Sequence, residues 1–148
     1  MYRGGTVRSL PDWFLTMPTF DWPLHVLHAE PGDIGYLDEV LSAHRVHRGG
    51  FWSTGMSRLR TVEEIKTLIQ AYETLNRHLD YRFNPAARRR QASLYNRSAE
   101  ACMRMGRHDD ALRDALRAFR LARFRSPKQR RAVRLVARAL LGRLTPVS

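Results

Sequence analysis

The chain has 148 residues, and 43% of them are hydrophobic, which is enough to form a core and too many for a disordered chain. Its single cysteine excludes an internal disulfide, and no apolar run reaches the roughly 20 residues that a membrane-spanning helix needs. The formal net charge of +12 lies in the second half: residues 1–80 contain 8 basic and 10 acidic side chains, and residues 81–148 contain 18 and 4.

These features narrow the classes of protein and partner. The first residues contain no apolar stretch of the kind found in signal peptides, so we expect a cytoplasmic protein. The arginines are not interleaved with aromatic residues, and no RNA- or DNA-binding motif is present, so specific binding of nucleic acid is not expected.

The first half of the chain predicts short elements. Proline and glycine interrupt the first twenty residues, after which Asp21 could cap a short helix with Pro23 in its first turn. Residues 34–47 contain β-compatible side chains and predict a short β element. The sequence "RGGFWSTG" then indicates a glycine-rich loop.

The second half predicts longer helices. Thr61 and Glu64 form a capping-box pattern, and apolar residues at three- and four-residue steps predict a helix over 61–80. Two further helices, separated at Gly106, have small residues placed as in one tetratricopeptide hairpin, and such a unit cannot bury its own face alone. A last helix is expected from a Ser126 cap to about Gly142.

The stretch "PDWF…FDWPLHVLHAEPGDIGYLDEVLSAHRVHRGGFWS" resembles the second half of bacterial family 2 glycosyltransferases. Those proteins have an Asp-Trp-Pro-Leu helix, a Gly-Tyr-Leu-Asp-Glu-Val hairpin, a Tyr-Arg-Val-His segment and a Gly-Gly-Val-Trp-Ser loop in this order. The likeness covers residues 8–80 well and 81–148 loosely. It implies a mainly α chain with a short β element, namely the C-terminal fragment of an α/β nucleotide-sugar transferase (GT-A-like) fold. Its parts would be an acceptor-side remnant (1–56), a long amphipathic helix (57–82) and a basic helical tail (83–148).

The resemblance also implies the function of an inverting glycosyltransferase, which moves a sugar from a nucleotide-sugar to a hydroxyl of a glycan or lipid-linked acceptor. The family binds its donor, with Mg²⁺ or Mn²⁺, through an Asp-x-Asp triplet in an N-terminal half, and this chain contains no such triplet. We therefore expect the isolated chain to bind no metal cofactor and to be inactive without a donor-binding half. A truncated gene or a wrongly assigned start would explain this pattern.

The same resemblance assigns roles to individual residues. Asp21 matches the general base, although a helix cap is an equally concrete alternative, and both roles can coexist. The resemblance assigns substrate or diphosphate binding to six residues: Trp22, Arg45, His47, Gly49, Gly50 and Trp52. Arg45 and His47 would share one face of a strand, and His47 could also bind the metal. Trp22 could equally be a packed aromatic, and the segment 49–52 an ordinary loop rather than a flap.

Other hypotheses remain beside the enzyme. The helical tail could be a protein interaction module, or it could lie on an anionic membrane at the inner face. On the last helix, arginines could share one side and apolar residues another: Arg130, Arg131, Arg134 and Arg138, against Val133, Val136, Leu140 and Leu144. A zinc site made of His25, His28, His44 and His47 is not expected, because His44 and His47 would diverge on a strand. If a partner half is missing, six aromatic rings should be exposed: Trp13, Phe14, Phe20, Trp22, Phe51 and Trp52.

Overall fold

The computed structural model describes residues 4–43, 61–122 and 126–144, with side chains described as far as Gly142. The chain divides into two compact units, Met1–Gly50 and Phe51–Ser148. Across the described ranges the regular structure consists of helices. Each unit is described separately below.

The first unit contains a 3-10 turn and one α-helix. The 3-10 turn spans Asp12–Thr16, and α1 spans Asp21–Ala29. Phe14 is buried, and its ring lies 5.6 Å from that of Phe20. On α1, Pro23 and Leu27 are buried, which gives the helix a narrow apolar side. These contacts explain why a short amphipathic helix forms beside the aromatic turn.

The second unit contains four helices whose ends follow local signals. Helix α2 spans Val62–His78, and Thr61 and Glu64 exchange two hydrogen bonds of 3.1 Å between side chain and backbone, which confirms the capping box. Helices α3, Asn84–Arg104, and α4, His108–Leu121, are joined at Gly106, whose φ of +70° favours glycine. Helix α5 spans Pro127–Leu144, and the Ser126 hydroxyl accepts from the Gln129 N–H at 3.2 Å.

Small side chains let the helices of the second unit pack closely around α3. Ala99, Ala115 and Leu135 form one buried cluster from α3, α4 and α5. A second cluster adds α2 and consists of Val62, Ala101, Cys102, Ala111 and Ala139. Alanines with no exposed surface at these positions allow close approach of the backbones, as the tetratricopeptide-like spacing predicted.

Buried polar side chains also join the helices. The Ser98 hydroxyl of α3 donates to Asp114 Oδ2 of α4 at 2.6 Å, and both residues are almost fully buried. The Asn96 amide donates to the backbone carbonyl of Lys128 at 3.0 Å, which ties α3 to the beginning of α5. Polar groups lose their hydrogen bonds to water when they are buried, and these bonds between side chains and neighbouring helices replace them.

The predicted end of the last helix is wrong by two residues. Helix α5 continues to Leu144, and Gly142 lies within it. A Cβ at Gly142 would lie 2.6 Å from His108 Nδ1. Glycine at this position therefore permits the close approach of α4 and α5 instead of ending the helix.

The predicted fold class is also wrong. Residues 31–43 contain no strand, the described part of the chain has no sheet, and residues 44–47 lie outside the described residues. The side chains of residues 34–41 are β-compatible, but a strand also needs a neighbouring strand for its backbone hydrogen bonds. None of the described segments supplies that neighbour, so the structure is helical and not the α/β fold that the resemblance implied.

Candidate functional site

Asp21 is the first residue of α1, and it is exposed to solvent. The N-cap position belongs to Phe20, which makes no side-chain capping bond. The alternative of Asp21 as the N-cap is therefore wrong, although a carboxylate in the first turn still stabilises the helix dipole. An exposed carboxylate at a helix start can accept a proton from a hydroxyl group placed beside it, as a general base requires.

Trp22 follows Asp21 and is half-buried. Part of its indole ring therefore packs within the first unit, and part remains available to a ligand. Both roles considered for Trp22, acceptor wall and packed aromatic, are compatible with this intermediate exposure.

The other predicted site residues are Arg45, His47, Gly49, Gly50 and Trp52, and all five lie outside the described residues. The diphosphate site and the metal role of His47 thus stay predictions. On α1, His25 is exposed and His28 is half-buried. Within residues 4–43, 61–122 and 126–144 no group of three or more His, Cys, Asp or Glu side chains could hold a metal ion.

The most unusual surface of the first unit is the exposed apolar segment, residues 34–41. The sequence predicted exposed apolar surface in the first part of the chain, but placed it on six aromatic rings outside this segment. Ile34 is 77% exposed, Tyr36 85% and Val40 99%. Large apolar side chains grouped in this way mark an interaction site on a protein surface. The exposed apolar segment is therefore the strongest candidate for a contact surface in residues 4–43.

One of the four described aromatics is exposed as predicted. Phe20 is 53% exposed as expected, but Phe14 is buried, and Trp13 and Trp22 are half-buried. The 3-10 turn and α1 cover these rings within the first unit. Large apolar side chains are instead exposed downstream in residues 34–41, where β-compatible residues have no partner strand among the described segments.

Cys102 is a core residue and not a nucleophile. It has no exposed surface and packs with Val62 and Ala111. Burial raises the pKa of the Cys102 thiol, and the negative charge of Asp114 raises this pKa further. The neutral thiol is a poor nucleophile, so the sequence interpretation of Cys102 as a small hydrophobic residue agrees with the structure.

Helix α5 has two different faces. Ala132, Leu135 and Ala139 are buried against the other helices. The outer face of α5, as we name it, consists of exposed arginine and aliphatic residues: Arg130, Val133, Arg134, Arg138, Leu140 and Leu141. The helix contains no acidic residue, so this face is both apolar and strongly basic.

Arg131 and Val136 were predicted on the arginine side and the apolar side of the last helix, but both contact neighbouring helices. Arg131 forms a two-pronged ion pair with Glu100 of α3, with Nε to Oε1 at 2.7 Å. The hydrogen bond with Glu100 raises the pKa of Arg131. Val136 packs against the cluster of Ala99, Ala115 and Leu135. Sequence periodicity alone could not separate these residues from their neighbours, because their partners lie on α3 and α4.

The described residues define a helical protein with a basic C-terminal half and no helix long and apolar enough to cross a membrane. When the chain is compared with known proteins, no family model, curated protein or solved structure matches it.

Proposed function

We propose that residues 1–56 supply the acceptor side of an inverting glycosyltransferase and act only together with a donor-binding half. One observation carries this proposal: the exposed apolar segment follows directly after the helix that begins with Asp21. The reaction is taken from the sequence resemblance, and the requirement for a second protein is inferred from the exposed apolar segment.

The energetics of the segment support a missing contact. Full burial of one large aliphatic or aromatic side chain is worth about 1.5–3 kcal/mol. Five such side chains remain at least 65% exposed here: Ile34, Tyr36, Leu37, Val40 and Leu41. A donor-binding half that covered these residues would gain this free energy and would also bring the nucleotide-sugar close to Asp21.

The proposed reaction uses Asp21 as the base. Its carboxylate takes the proton of the acceptor hydroxyl while the hydroxyl oxygen attacks the anomeric carbon of the donor sugar. The bond from that carbon to the nucleotide diphosphate breaks on the opposite side, so the configuration inverts and the diphosphate leaves with the electron pair. Arg45 and His47 would bind the diphosphate oxygens by charge-assisted hydrogen bonds. Mg²⁺ or Mn²⁺, when bound, would stabilise the negative charge of the leaving group.

The first experiment tests the need for a second half. The purified chain is incubated with nucleotide-sugars, and release of nucleoside diphosphate is measured; we expect no turnover. The donor-binding half of a bacterial family 2 glycosyltransferase is then added, and hydrogen exchange of residues 31–43 is followed. We expect protection of this segment from exchange. Turnover by the chain alone, or unchanged exchange in the mixture, would overturn the proposal.

The second experiment tests the base in a fusion of the donor-binding half to this chain. Asp21→Asn should reduce transfer by about 10²–10⁴-fold, because an amide cannot take the acceptor proton. Asp12→Asn is the matched control, since Asp12 is also an exposed carboxylate in the first turn of a helical element. Equal activity of the two variants would remove Asp21 from the mechanism.

A further inference from the structure

We infer that the outer face of α5 binds an anionic membrane surface. The inference is independent of the glycosyltransferase proposal, because it uses residues of the second unit only. Three features carry it: an exposed apolar row, an adjacent arginine row, and the engagement of nearby acidic side chains with other partners.

The apolar row is exposed although α5 is otherwise well packed. Val133 is 51% exposed and Leu140 46%, whereas Leu141, 64% exposed, lies about 20° from Arg134 around the helix, within the arginine row. With 100° of rotation per residue, Val133 and Leu140 lie about 20° apart, on one line along the helix. The buried residues Ala132 and Ala139 lie about 100° from this line, so the apolar row belongs to the surface.

The arginine row runs beside the apolar row. Arg130, Arg134 and Arg138 are spaced by four residues and are all exposed. A shallow open groove on this face is lined by Pro127, Gln129, Arg130, Val133 and Arg134. Two guanidinium groups at one groove suit a phosphate group, which an arginine can bind through two parallel hydrogen bonds.

Acidic side chains on the neighbouring helices are engaged elsewhere. Glu100 pairs with Arg131, and Asp114 accepts from Ser98. Asp110 pairs with Arg107 and with Arg113. The positive charge of the α5 outer face is therefore not neutralised by these carboxylates, and it complements a surface of opposite sign.

The shape of the face favours a membrane as the occupant. Sites for small molecules bury most of the ligand surface between several elements, whereas the groove on the outer face of α5 is lined by residues of one helix. A helix with an apolar row and flanking arginines inserts the apolar row at the level of the lipid headgroups, while its cations meet the anionic phosphates. The backbone of a nucleic acid would satisfy the arginines but leave Leu140 and Leu141 in water.

Sedimentation of the 148-residue chain with lipid vesicles tests the inference. We expect binding to vesicles of equimolar phosphatidylcholine and phosphatidylglycerol, weakening with added salt, and little binding to phosphatidylcholine alone. Arg134→Gln with Arg138→Gln should weaken binding about 30-fold, since each surface arginine contributes roughly a factor of five. The control is Arg77→Gln with Arg104→Gln, which removes the same charge from exposed positions on α2 and α3 and should have a much smaller effect.

The apolar row needs its own variant. Leu140→Gln with Leu141→Gln changes exposed side chains, so the far-ultraviolet circular dichroism should be retained while vesicle binding falls. Equal losses for the two arginine pairs would show attraction by net charge alone and would overturn the inference. Absence of binding to the anionic vesicles would overturn it as well. So would a wild-type dimer that the leucine variant disperses without any lipid effect, because the face would then be a contact between two copies.

Discussion

The hydrogen bond between Ser98 and Asp114 should contribute strongly to the stability of the second unit. The two side chains join α3 to α4, at 0% and 2% exposure, with 2.6 Å between Oγ and Oδ2. A short bond from a hydroxyl to a carboxylate in a buried site is stronger than a bond between neutral groups. Arg117 lies 3.5 Å from the other carboxylate oxygen of Asp114, at the edge of the same site.

The magnitude follows from what each substitution leaves behind. Ser98→Ala removes a hydrogen bond to a charged group and leaves a buried carboxylate with one partner fewer, which should cost about 1.5–3 kcal/mol. Asp114→Ala leaves the Ser98 hydroxyl without its acceptor and should cost a similar amount. The double variant loses the bond only once, so its cost should fall short of the sum by about 1.5–3 kcal/mol.

Urea unfolding followed by far-ultraviolet circular dichroism measures the four free energies of the cycle. With a typical slope of about 2 kcal/mol per molar urea, each single variant should lower the unfolding midpoint by roughly 1 M. The exposed pair of Arg113 and Asp110 is a suitable control, because screening by water should make its coupling much smaller. A coupling between Ser98 and Asp114 below about 0.5 kcal/mol would refute the reasoning, since distant sites differ from additivity by that amount.

Three further outcomes are expected from the second unit. Gly142→Ala should lower the melting temperature although alanine favours helices, because its Cβ would lie 2.6 Å from His108 Nδ1, and His108→Ala should relieve part of the loss. The hydrogen bond from Arg107 lowers the pKa of Asp110 from its usual value of 3.8. The ionised Asp110 therefore stabilises the fold fully above pH 3.8, and this contribution is lost as the pH falls through the lower pKa of the folded state. Asp110→Asn should accordingly make the free energy of unfolding less dependent on pH in this acidic range. Thr61→Ala should cost about 1 kcal/mol in urea unfolding, and Thr61→Ser, which keeps the capping hydroxyl, should cost little.

The helices of the second unit were predictable because their signals are local. The Thr61 capping box, the Ser126 hydroxyl and the break at Gly106 each act within one helical turn, and each has the predicted role in the structure. Of the small residues that predicted close helix packing, Ala99, Ala111 and Ala118 are buried, whereas Gly106 is exposed in the turn. A single sequence carries this information because a helix forms its backbone hydrogen bonds within itself.

The partners of polar and charged residues were not predictable in the same way. Arg131 and Arg134 are equivalent in the periodicity of α5, but Glu100 of α3 pairs with Arg131. Ser98 and Asp114 have no local pattern that brings them together across sixteen positions. Which polar and charged residues pair depends on how the helices cross. The crossing follows from packing between helices and not from the periodicity of one helix.

The error at residues 34–43, the described part of the predicted β element, has the same physical origin. The β-compatible side chains of this stretch fit a strand, but a strand is completed by hydrogen bonds to another strand. In residues 31–43 the apolar side chains remain exposed and the segment lacks regular structure. The α/β fold is therefore not found, while the enzymatic role of Asp21 and the protein interaction role of the helical tail stay predictions.

The two exposed apolar surfaces differ in charge, which argues for two different kinds of partner. The segment 34–41 includes Asp38 and Glu39, both exposed, whereas the outer face of α5 has only arginines as charged residues. An anionic membrane would therefore repel the first surface and attract the second. A protein surface that covers residues 34–41 can satisfy the two carboxylates with hydrogen bonds as it buries the apolar side chains on either side of them. If both proposals hold, contact with the donor-binding half and contact with the membrane use separate surfaces, and substitutions at Arg134 and Arg138 should leave protection of the segment 34–41 by that half unchanged.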